Sequence, residues 1–160
     1  MRNAIVMISV AVLVGCGGSS DTAPVGPNGW LTGDTATKLD TVAGQLRGLD
    51  VAMLETGHRY TELYFAGADG NWDYAKYQAD KLKTTLETAL VRRPKRAASA
   101  QPYLNEALPA VQSAIAAQDS AAFNQAFTQL TTACNACHQA ESVASFTVRP
   151  PRARLSPIRN

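Results

Sequence analysis

The chain has 160 residues, with 15 Lys and Arg against 13 Asp and Glu, a formal charge of +2 and 46% hydrophobic residues. That length holds one ordinary domain with a sizeable core, and the near-neutral balance argues against nucleic acid as a partner. Three cysteines and two histidines are too few for a disulfide framework, so each needs its own account.

Met1-Arg2-Asn3 is a short basic start, and Ala4 to Val14 is an apolar run with the length of a signal h-region, too short to span a bilayer. The run ends in Leu13-Val14-Gly15-Cys16, which resembles a bacterial lipobox. That resemblance implies a lipoprotein signal peptide over residues 1–15, lipidation of Cys16, and an exported protein anchored to a membrane. Gly17 stands where an Asp would signal inner-membrane retention, which implies the outer membrane, facing the periplasm. An ordinary signal peptide is the alternative. Without residues 1–15 the 15 basic residues lose Arg2, leaving 14 against 13 acidic ones. Nothing else in the chain is apolar over a length that would span a membrane.

Gly17 to Gly33 is rich in Gly, Ser, Pro, Asp and Thr, and predicts a flexible tether over 16–34, with Trp30 and Leu31 docking at the domain edge. From Thr35 the pattern is helical. Leu39, Val42, Leu46, Leu49, Met53, Thr56, Tyr60 and Leu63 recur at spacings of three and four, predicting one long helix with a bundle-type seam. Gly44, Gly48 and Gly57 mark candidate bends or close contacts, and Ala66 to Gly70 ends the helix. Asn71 is an N-cap for a second helix, with Ala75, Ala79, Leu82, Leu86 and Leu90 as its buried stripe and Arg92-Arg93-Pro94 as its stop. A third helix is expected to open around Pro102, with Leu104, Leu108, Val111 and Ile115 inward and a kink or restart at Pro109. Asp119 or Ser120 caps the fourth.

Phe123, Phe127, Leu130, Cys134 and Cys137 continue the apolar stripe of that fourth helix. Cys134-Asn135-Ala136-Cys137-His138 is a C-x-x-C-H run, the attachment pattern of one covalent c-type haem. Two thiols three residues apart can form thioethers to the two vinyl groups, and the adjacent histidine can donate to iron as the proximal ligand. A thioredoxin-type pair would need a βαβ setting that is absent here, and a structural zinc site would need a further ligand beyond His58. Export is also where bacterial c-type haem is attached. Residues 146–160 then form a basic, Pro- and Arg-rich tail. It reads as a solvated end, or as one that brings an arginine to a haem propionate or meets an acidic partner.

Four helices joined by short loops predict an all-α, antiparallel up-and-down bundle over 35–145. A C-x-x-C-H on the last helix resembles cytochromes c′ and their low-spin relatives of the cytochrome c-556 kind. More closely, His58 to Phe65 with Ala66-Gly67, then Asn71-Trp72, then Cys134 to His138, looks like exported monohaem bundle cytochromes. The chain departs from typical cytochromes c′ in lacking a basic segment directly after His138 and in carrying a histidine on the first helix.

Three options exist for the distal side of the iron. His58 is the strongest ligand chemically, but it falls on the opposite face from the seam, with Val51, Leu54 and Phe65. Met53 lies on the seam and nearer the level of His138. An open site would bind NO or CO, as the resemblance to cytochrome c′ implies. Tyr60, Tyr64 and Trp72 are either haem-pocket or core aromatics. The resulting expectation is an electron carrier rather than an enzyme, exchanging electrons with other redox proteins of the cell envelope, with homodimerisation left open and a gas-binding haem protein as the alternative.

Overall fold

The computed structural model describes residues 21–158. The expected signal peptide, residues 1–15, and the expected lipidation site, Cys16, lie outside them. The chain divides into two compact units between Leu46 and Arg47. Among the described residues there is no strand, only an isolated antiparallel bridge between Val25 and Leu31, and no helix is long and apolar enough to cross a membrane.

In the first unit, the predicted tether is partly shaped. Val25 and Leu31 exchange backbone hydrogen bonds of 3.0 and 3.1 Å across a turn over Pro27–Gly29. Gly26 has φ +81°, and a Cβ there would meet the Trp30 indole at 2.6 Å, so Trp30 folds onto its own turn. Helix α1, Thr35–Gln45, starts at Asp34, whose carboxylate accepts from the Thr37 N–H at 2.8 Å.

The expected single helix from residue 35 is broken. Leu46 is extended (φ −75°, ψ 98°) and α2 restarts as Leu49–Ala68 after Gly48. Gly44 and Gly48 make the interruption cheap, and a Cβ on Gly48 would lie 3.0 Å from the Arg93 guanidinium. Leu39, Val42 and Leu46 therefore do not extend the seam of α2. Helix α2 runs unbroken through Gly57. It closes with Gly70 at φ +69° and the Asn71 N–H bonded to the Ala66 carbonyl at 2.9 Å, a Schellman-type ending.

Helix α3, Trp72–Arg92, begins on Asn71, which accepts from the Tyr74 N–H at 3.2 Å. Its expected stripe of Ala75, Ala79, Leu82, Leu86 and Leu90 is buried. The third helical run starts earlier than predicted, as α4, Ala97–Pro102, after a short turn at Pro94–Arg96. It widens into a π-turn over Tyr103–Ala107, where the Leu108 N–H reaches back to the Tyr103 carbonyl, and continues as α5, Leu108–Ala117. Pro109 offers no N–H to the preceding turn, and its ring would crowd the carbonyl four residues back; the widened turn makes room. The inserted residue also rotates the register, so Tyr103 and Ala107 are buried while Leu104 is only half-buried. Helix α6, Ser120–Ala140, is capped by Asp119, which accepts from the Ala121 and Ala122 N–H groups at 2.8 and 3.0 Å.

Within the second unit α2 packs on α3, α3 on α5, α5 on α6 and α6 on α2, which makes a four-helix bundle of α2, α3, α4–α5 and α6. Leu63, Leu82, Leu108, Val111, Phe123 and Leu130 fill its centre. Gly67 leaves room for Phe123 of α6: a Cβ there would fall 2.1 Å from the Phe123 ring.

Candidate functional site

The C-x-x-C-H residues sit in the last two turns of α6. Cys134 and Cys137 are three apart, which puts them on one side of the helix. Cys134 continues the Phe127–Leu130 stripe into the core and packs against it. Burial, with a smaller contribution from Cys137, pushes its thiol up to about 12, so it stays a neutral sulfur at ordinary pH. Thiolate ligation to a metal requires the opposite, whereas a thioether sulfur is neutral and suits an apolar seat. The phenols of Tyr60 and Tyr103 are near enough to Cys134 to couple with it, and both are shifted upward, first by burial. Cys137 is half-buried, with Sγ 3.7 Å from Ser99 Oγ.

Cys137 and His138 open onto a cavity of about 570 Å³ at the end of the bundle where α2 begins and α3 and α6 finish, within the usual range for small-molecule and cofactor sites. Leu49, Met53, Leu86 and Leu90 supply apolar walls. Arg93, Arg96 and Glu141 line it as well. Arg96 and Ser99 both hydrogen-bond Glu141. Arg93 instead donates to the neighbouring Arg92 carbonyl at 2.8 Å, and has no carboxylate partner among the described residues.

His138 has a defined tautomer. Its Nδ1 lies 2.5 Å from the Phe146 carbonyl oxygen. A carbonyl can only accept, so Nδ1 carries a proton, and in the neutral ring the lone pair is then on Nε2. Metal-ligating histidines are typically held this way, by a partner on the second ring nitrogen. Phe146 is delivered by a turn: α6 closes with the Val143 N–H on the His138 carbonyl at 2.8 Å, and the Phe146 N–H bonds the Val143 carbonyl at 2.9 Å.

The structure brings Cys137, His138 and Met53 to one cavity, with Cys134 one turn away. His58 is not among them; it is exposed on α2, away from the cavity lining. Tyr60, Tyr64 and Trp72 do not line the cavity either. They belong to an aromatic series with Phe127 and Phe123, at centroid separations of 4.6 Å for Tyr60–Phe127, 5.2 Å for Tyr64–Phe127 and 6.0 Å for Trp72–Phe123. Among the described residues no three His, Cys, Asp or Glu side chains are grouped to hold a bare metal ion.

The residues present fit a covalent haem on three counts. They supply two sulfurs on one helix side, an imidazole with its Nε2 lone pair available, and an apolar cavity with an arginine lacking a carboxylate partner. Two buried hydroxyls, Thr56 Oγ1 and Tyr103 Oη, have no hydrogen-bond partner among the described residues. Sequence reasoning missed Asn135 and the Phe146 carbonyl; the only cue to the latter was the short extended run Phe146-Thr147-Val148. No protein-family model, curated protein or solved structure matches this chain.

Proposed function

We propose that the chain is an exported, lipid-anchored monohaem c-type cytochrome built as an antiparallel up-and-down four-helix bundle, and that it carries single electrons between redox proteins of the cell envelope. The observation that carries this reading is the His138 ring, protonated at Nδ1 by its bond to Phe146 and bordering a large apolar cavity beside Cys137. Haem bound through Cys134, Cys137 and His138 supplies one-electron iron chemistry. The protein's own part is to hold the imidazole in one tautomer, exclude water with Leu49, Leu86 and Leu90, and offer Arg93 to a propionate. On the distal side Met53 is favoured over His58, because Met53 borders the same cavity as His138 and His58 does not. Methionine–histidine ligation suits electron transfer and raises the potential.

Two measurements test the reading. Acidified-solvent extraction of the denatured protein should leave haem on the polypeptide; haem that leaves refutes thioether attachment. Visible spectra should be low-spin in both oxidation states and unresponsive to brief CO exposure. A high-spin spectrum with immediate CO or NO binding would replace the electron carrier with a gas-binding haem protein.

A further inference from the structure

We infer that residues 146–158 form a strap that sets the electron-donating strength of His138, with Asn135 as its positioning residue. This rests on the haem reading above. Phe146 is 66% exposed at the cavity edge, so the turn at Val143 and the residues that follow, rather than its own burial, hold its carbonyl on His138. Two residues on, the Val148 N–H donates to Asn135 Oδ1 at 2.8 Å and Asn135 Nδ2 donates to the Val148 carbonyl at 3.0 Å. One amide side chain thus binds one backbone residue at both ends, as a neighbouring strand would. Val148 also packs against the core.

The far end of the strap is fixed too. Arg154 pairs with both carboxylate oxygens of Asp69 and lies over the Phe65 ring at 4.6 Å. The strap is thus held at two points, Val148 and Arg154. Asn135, inside the C-x-x-C-H run, links the attachment motif to the strap at Val148, as His138 does at Phe146.

A carbonyl on Nδ1–H makes an imidazole a stronger donor, and a stronger donor favours ferric over ferrous iron. Asn135→Ala should therefore raise the reduction potential of the holoprotein. A tenfold change in the ferric-to-ferrous preference of the ligand corresponds to about 59 mV for one electron. Asn124→Ala, on an exposed position of the same helix, should leave the potential unchanged. In the unmodified holoprotein the His138 Nδ1 proton should exchange slowly with solvent in proton NMR, and in Asn135→Ala at least tenfold faster. Val148→Pro, which removes one strap hydrogen bond and leaves the motif intact, should shift both readouts in the same direction and stands in where Asn135→Ala does not mature. Loss of covalent haem from the unmodified protein would overturn the cytochrome reading itself. A normal holoprotein whose Nδ1 proton exchanges freely, or whose potential is the same in Asn135→Ala, would overturn the strap alone.

Discussion

Gly57 and Gly67 lie ten residues apart in α2 and should respond oppositely to the same substitution. Gly57 has nothing within 4 Å of a built Cβ, so Gly57→Ala gains helix propensity, about 1 kcal/mol, at no steric cost. At Gly67 the same gain meets the Phe123 ring at 2.1 Å. That ring cannot retreat: Phe123 is 1% exposed and contacts Trp72 and Phe127 at 6.0 and 5.8 Å. Overpacking of this kind costs about 1–3 kcal/mol, and a clash this severe belongs at the upper end. Gly67→Ala is then net destabilising by about 2 kcal/mol, and the two variants differ by about 3 kcal/mol. At roughly 4 °C per kcal/mol for a unit of this size, their midpoints should separate by about 12 °C. Melting of the holoproteins followed by circular dichroism at 222 nm reads this directly. If Gly67→Ala melts at or above Gly57→Ala, α2 does not approach α6 as described.

In protein without haem, Cys134 ionises in the unfolded chain from about its ordinary value of 9.0 but in the fold only at about 12. The fold holds that proton longer, so stability contributed by the neutral thiol is intact below pH 9 and declines above it. Urea midpoints between pH 8 and 9.5, below the tyrosine range, should fall less steeply in Cys134→Ala. Haem-loaded protein has no such proton, and its midpoints should not show this decline. Met53→Ala should convert a low-spin spectrum to high-spin and admit CO to the ferrous form, whereas His58→Ala should leave both unchanged; the reverse result would make His58 the ligand. Native protein should fractionate with membranes and Cys16→Ser should not, and equal solubility of the two would remove the lipid anchor.

Period-based reading found the helices whose faces are apolar over several turns. The α3 stripe and the Phe123–Leu130 stripe emerged as expected because burial on a helix follows the spacing of its apolar residues. The reading failed where backbone chemistry competes with period. Leu39 to Leu46 has seam spacing, yet the chain breaks before Gly48, since a preserved spacing says nothing about continuity across glycines. The π-turn before Pro109 moved burial from Leu104 to Tyr103, a shift of one residue that no fixed period contains. Cys134, Cys137 and His138 stand out in the sequence because their proposed chemistry is written in neighbouring positions; of the three, Cys137 and His138 border the cavity. Asn135 was invisible as a positioning residue, because its partner lies thirteen residues on and is a backbone group. The tail composition suggested a solvated end, but one asparagine and one arginine are enough to dock it.

The pairing of Arg154 with Asp69 spans 85 residues of sequence, whereas the helices it bridges are joined by short local turns. Most residues of the tail are exposed, whereas the bundle's helices bury a continuous core. The tail should therefore dock after the bundle has assembled and open before it comes apart. Amides of residues 146–158 would then exchange through a low-energy opening that leaves the helices protected. In that opened form His138 would keep its place on α6 and lose the carbonyl that fixes its proton.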